Sequence, residues 1–471
     1  MSTATAALFI IISAIAVSYG WGMRGTTIGG EKGAMLPGAI MGMMIAVFSG
    51  IPAFSEYFVY LTALGSLGMY FGGCMTYGET LGLSMNERPA EDMKRGLIAL
   101  FVKGFLWFGV FGAVLSLGLT VLTGKYFTGR EIISLFLMMP VFMIMFMFIF
   151  NRPLNAEKNV FPKIYFSKTR KESWGAMLGL LSELVTVAVI KKLWFPVKYT
   201  LICAVFGAVG WVVAQLLQIY ARQYSRDSGS AFIKSWGGRR FDAWKLMECV
   251  LGMFGGIGAA LGVVLLYDDF SSIGMSWLLN GINNPFPAFC KAGIYVWAVI
   301  LLLDMAVYYI PPLQKNKKFK TFWEVSEYPI YAAFPLMLVF LGDINTAVTA
   351  SFFILYIVII QETCFGRLEN LKFLPECRVL LSLFGAFLFA AGIVWREGLG
   401  INVALILYGV FYETVTLAWL LPKVSDVRRN REKTESLGEF LKSTSLLSVH
   451  TYFIVCIAVM TVAVIISQLR S

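Results

Sequence analysis

Residues 20 to 44 read Gly20-Trp-Gly-Met-Arg-Gly-Thr-Thr-Ile-Gly-Gly-Glu-Lys-Gly-Ala-Met-Leu-Pro-Gly-Ala-Ile-Met-Gly-Met-Met44. The stretch carries three charged residues, Arg24, Glu31 and Lys32, and it joins two apolar runs of membrane-spanning length. Charges this close to membrane-spanning runs are costly to hold near hydrocarbon, so they usually have a structural or functional role. The segment is therefore the first candidate for a functional site.

Glycine and proline give this segment an unusual backbone. It holds eight glycines and Pro37, and these residues release the chain from helical geometry because glycine is unrestricted and proline lacks an amide donor. We expect a discontinuous helix near residues 20–37, the arrangement that many transporters use to bind solutes. The alternative is an ordinary turn whose glycines let the first two helices pack closely.

The composition of the whole chain predicts a polytopic, all-α integral membrane protein. Of its 471 residues, 58% are hydrophobic and only 14% are charged, and a water-soluble protein cannot cover that much apolar side chain. The apolar residues recur in runs of about 17 to 25, the length of a transmembrane helix. We read one transmembrane domain over residues 1–471, with about fourteen spans, or twelve if the tenth and eleventh form a re-entrant hairpin. The predicted spans are 5–22, 34–50, 57–82, 97–123, 132–150, 174–190, 197–219, 246–267, 292–312, 325–342, 344–361, 379–395, 399–421 and 446–469.

The net charge of +11 is distributed as membrane topology requires. With these spans, the odd-numbered connections carry 30 of the 39 Lys and Arg residues. Basic residues remain on the cytoplasmic side, so both termini are expected outside a bacterial cytoplasmic membrane. The expected partners of this charge are anionic lipid headgroups, and nucleic acid is not expected.

Apart from Glu327 at the start of the tenth span, five acidic residues lie inside predicted spans: Glu79, Glu183, Glu248, Asp304 and Glu413. A carboxylate in hydrocarbon costs roughly 2.5 to 3.5 kcal/mol on insertion scales, so such residues face protein or water and usually have a function. The alternative is that each acid pairs with a basic neighbour or reaches the inner interface, and Lys245 is three residues before Glu248.

Small residues recur every fourth position beside two of these acids. Gly175 and Gly179 precede Glu183, while Gly252 and Gly256 follow Glu248. Small residues at this spacing form the face where another helix approaches closely. Both acids are therefore expected to face the protein interior.

The sequence also contains weak internal repetition. Trp21-Gly-Met-Arg precedes the second predicted span, and Trp236-Gly-Gly-Arg precedes the eighth. Many transporters contain internal repeats, so an ancient duplication is one interpretation of this pattern.

The sequence gives little support for metal binding, nucleotide binding or nucleophilic catalysis. The chain has one histidine, His450, and seven cysteines without a Cys-x-x-Cys pair, so we expect no metal site. No nucleotide-binding loop or serine-nucleophile motif is present. We assign no catalytic residue and no cofactor, although an integral membrane enzyme stays open.

These observations favour a secondary active transporter that moves a polar or charged small solute, sugar-like or anionic, by alternating access with H⁺ or Na⁺ coupling. The residues expected to bind solute or to gate are Arg24, Glu31, Lys32, Glu79 and Glu183. The residues expected to couple the ion are Glu183, Glu248, Asp304 and Glu413, because a carboxyl in low dielectric readily takes up a proton. The alternatives are a flippase for a lipid-linked glycan or other amphiphile, a transferase or ligase acting on a lipid-borne substrate, and an ion channel.

Overall fold

The computed structural model describes residues 1–27, 30–73, 75, 77–85, 90–151, 166, 173–227, 243–309 and 329–351. Within these ranges the chain is helical and contains no β-strand, which confirms the predicted all-α class. The helices are α1 Thr3–Thr27, α2 Gly30–Phe48, α3 Pro52–Glu56, α4 Phe58–Gly72, α5 Gly78–Leu83, α6 Ala90–Val121, α7 Gly129–Phe150, α8 Trp174–Ile190, α9 Trp194–Asp227, α10 Ala243–Leu265, α11 Tyr267–Asn280, α12 Pro287–Tyr309 and α13 Phe334–Phe340, with a π-helical turn over Pro329–Ala333.

Six helices in the described part of the chain are long and apolar enough to cross a membrane, which indicates an integral membrane protein. They are Thr3–Gly22, Gly30–Phe48, Ala90–Val121, Gly129–Phe150, Trp194–Gln223 and Ala243–Leu265. Each of the first nine predicted spans contains a helix of the structure. The last three predicted spans, from residue 379 onward, lie outside the described residues, so the total number of spans stays a prediction.

The structure adds detail to the predicted connections. The segment 268–291, predicted as an exterior connection, contains helix α11. Helix α1 continues to Thr27 and α2 starts at Gly30, while positions 28 and 29 lie outside the described residues, so the discontinuous helix expected near residues 20–37 stays a prediction. Trp236, which carries half of the suggested repeat, is also outside the described residues, and the repeat stays a prediction.

Six helices close into a ring. Helix α1 packs against α2, α2 against α4, α4 against α6, α6 against α9, α9 against α10, and α10 packs back against α1. The pair α7 and α8 lies outside this ring and attaches to it through contacts of α8 with α6 and α9. Side chains that point into the ring therefore come from helices that are far apart in sequence.

Glycine stripes allow these helices to approach each other. A Cβ atom on Gly252 would lie 2.5 Å from the Val17 carbonyl oxygen, and one on Gly256 would lie 2.3 Å from that of Ser13. The stripe that follows Glu248 therefore faces α1, which confirms the predicted helix–helix contact.

The second stripe faces α7. A Cβ atom on Gly179 would lie 2.4 Å from the Phe142 carbonyl oxygen, and one on Gly175 would lie 2.9 Å from that of Phe146. This result confirms the predicted packing face that precedes Glu183.

Candidate functional site

The third predicted span, residues 57–82, is interrupted. Helix α4 ends at Gly72 and α5 begins at Gly78, and the Met75 amide donates to the Gly72 carbonyl in a local turn with an N–O distance of 3.2 Å. The prediction of a single span over 57–82 is therefore corrected, because two helices occupy this range. We call it the α4–α5 break and define it by Gly73, Met75 and Tyr77. At membrane depth such backbone occurs where protein or a water-filled cavity surrounds it.

The start of α2 packs directly onto the α4–α5 break. A Cβ atom on Gly73 would lie 2.3 Å from the Glu31 Cα atom and 2.7 Å from its backbone nitrogen. Real Cβ contacts are not this short, so the contact requires glycine at position 73. The predicted site residue Glu31 is therefore placed beside the break by its backbone.

Lys32 lies beside two buried tyrosines. Its Nζ atom is 4.4 Å from the centroid of the Tyr331 ring, a cation–π contact, and the Tyr331 ring stacks on Tyr70 with a centroid distance of 6.2 Å. The side chain is partly buried. Lys32 is thus held against the protein near the end of α4.

Aromatic rings from four helices of the six-helix ring and from the α4–α5 break contact one another. We call them the tryptophan cluster: Trp21, Tyr77, Trp107, Phe108, Trp211 and Trp244. Tyr77 from the α4–α5 break contacts Trp211 at a centroid distance of 5.3 Å and Trp107 at 6.2 Å. The Trp107 Nε1 group donates to the Met69 carbonyl over 2.9 Å. The cluster therefore links the break to helices α1, α6, α9 and α10.

A buried ion pair stands at one edge of the tryptophan cluster. Lys245 forms a hydrogen-bonded ion pair with Glu248 and also donates to the Gly22 carbonyl over 3.0 Å. The Trp244 Nε1 group donates to the other Glu248 oxygen over 2.9 Å. Both oxygens of Glu248 are thus engaged, which confirms the pairing that the sequence suggested as the alternative to a free ion-coupling carboxylate.

A second buried cation faces α5. Lys103 is 1% exposed and its Nζ atom donates to the Thr80 hydroxyl over 2.8 Å. Thr80 follows Glu79 in the chain, so the backbone places this predicted site residue beside Lys103, although the Glu79 side chain is outside the described atoms. An ammonium group deep in an apolar helix usually marks a functional region.

Glu183 lies on a helix outside the six-helix ring. It lies on α8, which packs against α6 and α7, and it is 2% exposed. Within the described part of the chain, both of its carboxyl oxygens are buried without a hydrogen-bond partner. The position is the tenth residue of a 17-residue helix, close to its middle. Among the described residues, none forms an ion pair with this buried carboxyl.

The other predicted site residues are only partly described. Arg24 lies on the last turns of α1 and Asp304 on α12, but their side chains are outside the described atoms. Glu413 is outside the described residues altogether. Of the predicted set, the structure brings Glu31, Lys32 and the backbone of Glu79 to the α4–α5 break.

Sequence reasoning missed several residues of this region. Lys103, Gln215 and Gln218 are fully buried polar residues within predicted spans. Their polarity inside apolar runs was a usable signal, since polar residues in transmembrane helices generally face the bundle interior.

Comparisons of the chain with models of protein families, with curated proteins and with solved structures found no match.

Proposed function

We propose that the chain is a secondary active transporter that moves a polar or charged small solute by alternating access, with coupling to H⁺ or Na⁺. In this proposal the protein lies in a bacterial cytoplasmic membrane with both termini outside. The α4–α5 break is the observation that supports it most. Discontinuous helices inside a bundle supply free backbone groups for solutes and ions.

The surroundings of the break supply the chemistry that such a site requires. Lys32 and Lys103 bring ammonium groups beside it, and such groups suit anionic or hydroxyl-rich solutes. The tryptophan cluster offers aromatic faces on which a solute ring can stack. Glu183 is proposed as the ion-coupling carboxyl, because it is buried and neither oxygen has a protein partner.

Transport by reconstituted protein tests this proposal. Proteoliposomes with the full chain receive a defined mixture of sugars, sugar acids, dicarboxylates and amino acids under an imposed H⁺ or Na⁺ gradient, and mass spectrometry measures the lumenal content. We expect gradient-dependent accumulation of at least one solute. Lys103→Gln should reduce it roughly tenfold, equivalent to about 1.4 kcal/mol.

Lys198→Gln is the matched control, because Lys198 lies on apolar helix α9 but is exposed. It should transport like the wild-type chain. A lipid scrambled between leaflets without solute uptake would indicate the flippase alternative. An ion current that needs no solute would indicate a channel, and either result contradicts the proposal.

A further inference from the structure

Helix α11 lies across one end of the six-helix ring. Its buried side includes Phe270, Ile273, Gly274 and Trp277, whose spacing of three and four residues places them on one face of the helix. This face meets the end of α2, the start of α4 and the start of α9, and α11 itself follows the end of α10. The proposed orientation puts this end of the ring outside, and we call it the exterior end.

The middle and the Trp277 end of α11 pack against the α2–α4 side of the ring. The Trp277 ring lies 5.5 Å from the Phe54 ring of α3 and 5.9 Å from the Tyr57 ring, measured between centroids. A Cβ atom on Gly274 would lie 2.4 Å from Cγ2 of Ile51, which stands between α2 and α3. The connection that follows α2 is thus in direct contact with α11.

The Phe270 end of α11 packs against the α9–α10 side of the ring. The Phe270 side chain is 0% exposed, and its ring lies 4.8 Å from the Phe195 ring and 5.2 Å from the Tyr199 ring of α9. Within the ring, α1 and α6 separate the α2–α4 pair from the α9–α10 pair. Helix α11 therefore bridges two opposite sides of the ring, and a solute that enters from outside has to displace it.

A non-helical joint bounds α11 at each end. Leu266, between α10 and α11, has φ −115° and ψ 31°. Gly281, directly after α11, has φ +70°, and no described atom lies within 4 Å of its Cβ position. Beyond this glycine the chain is fixed, because the Asn283 amide donates to the Leu122 carbonyl over 3.1 Å. Hinges are commonly a few residues at the ends of a moving element, and Leu266 and Gly281 hold these positions.

Two polar atoms of α11 are buried without a partner. Ser276 is 5% exposed and Trp277 is 0% exposed, and among the described residues neither Ser276 Oγ nor Trp277 Nε1 has a hydrogen-bond partner. A buried polar group without a partner is costly and requires an explanation. Water satisfies both atoms once α11 moves away from the ring. The packed position of α11 is therefore held by apolar contacts and opposed by these two polar groups.

We propose that α11 is the exterior gate of the six-helix ring. It is packed onto the ring in this structure, which closes the exterior end, and it swings outward about Leu266 and Gly281 when the ring opens to the outside. The contacts that break are those of Gly274 and Trp277 with the α2–α4 side. This inference rests on the proposed transport function and orientation, and it names the element that controls access from outside.

The accessibility of position 51 tests the gate without any solute. In a chain whose seven cysteines are replaced by serine, Ile51→Cys places a thiol beneath α11, where Ile51 is 3% exposed. Ile132→Cys is the matched control, because Ile132 is 0% exposed and lies near the start of α7, outside the ring. In intact cells, an impermeant thiol reagent should modify Ile51→Cys at least roughly tenfold faster than Ile132→Cys, because local opening of α11 exposes only position 51.

A disulfide between positions 51 and 274 should lock the gate. The Cβ position of Gly274 lies 2.4 Å from Cγ2 of Ile51, and a carbon–carbon bond adds about 1.5 Å, so the two Cβ atoms are within the range that disulfides require. Ile51→Cys also removes the methyl group that a side chain at position 274 would meet. Oxidation of the Ile51→Cys, Gly274→Cys chain should reduce solute uptake at least roughly tenfold, because a closed lid blocks access. A reductant should restore uptake, and Ile51→Cys alone should not respond to the oxidant.

Several results would overturn the gate assignment. They are modification of Ile51→Cys no faster than that of Ile132→Cys, failure of the two cysteines to cross-link under oxidant, and normal uptake by a chain that mass spectrometry shows to be fully cross-linked. If Gly274→Cys prevents folding, the modification rate of Ile51→Cys decides. The transport proposal is judged separately. Fast modification of Ile51→Cys in a chain that takes up no solute contradicts transport alone, and uptake that continues in the cross-linked chain contradicts the gate alone.

Discussion

At the scale of single residues, the informative side chains are buried polar groups. Some form all their hydrogen bonds and ion pairs, and others form none. Glu248 and Lys245 satisfy each other and the Gly22 carbonyl, so we expect them to stabilise the junction of α1 and α10. Removing one partner of a buried ion pair costs about 3–5 kcal/mol because the other charge is left uncompensated. Glu248→Gln should therefore lower the unfolding temperature markedly, and Glu248→Gln with Lys245→Met should recover part of the loss.

Substitution of Glu183, in contrast to that of Glu248, should have little effect on stability. Because neither carboxyl oxygen has a partner, Glu183→Gln removes no protein hydrogen bond, and we expect the unfolding free energy to change by less than about 1 kcal/mol. Transport should nevertheless lose its dependence on the ion gradient. Flux measurements with and without the gradient check this expectation, and a Gln variant with normal gradient-driven accumulation would make Glu183 a structural residue.

At the scale of elements, the α4–α5 break depends on a close backbone contact. A Cβ atom on Gly73 would meet the Glu31 backbone, so Gly73→Ala should push the start of α2 away and destabilise the fold by about 1–3 kcal/mol. Gly82→Ala on α5 is the matched control, since nothing lies within 4 Å of its Cβ position. The unfolding temperature and the transport rate are measured for both variants. Equal values for Gly73→Ala and Gly82→Ala would show that the contact between Gly73 and Glu31 is dispensable.

The helices themselves were largely predictable, and the break was not. Apolar runs located the first nine spans, and fourfold spacing identified the glycine faces of α8 and α10, because both signals are local in sequence. The run over 57–82 is mostly apolar and long enough for one span, and its Gly72-Gly73 pair does not by itself distinguish a helix break from a close helix contact. The glycines at the break lie against Glu31 and Trp107, residues of other helices, and such long-range contacts are not encoded in hydrophobic periodicity.

At the scale of the whole molecule, the proposed orientation follows from the distribution of basic residues. Single cysteines placed in the connections 151–173 and 220–245 should resist an impermeant thiol reagent in intact cells. A cysteine at position 280, the last residue of α11, should react. Labelling of the first two connections from outside would reverse the proposed orientation.

Alternating access at the α4–α5 break is the central claim, and a cysteine at Met75 tests it most directly. Met75 is 1% exposed, so a reagent reaches it only when the ring opens. The native chain has seven cysteines, which are first replaced by serine in a variant that retains transport. In vesicles of both orientations, we predict that Met75→Cys reacts from either side and that reversing the solute or ion gradient changes the favoured side. Reaction from one side only under every gradient would contradict alternating access at this break.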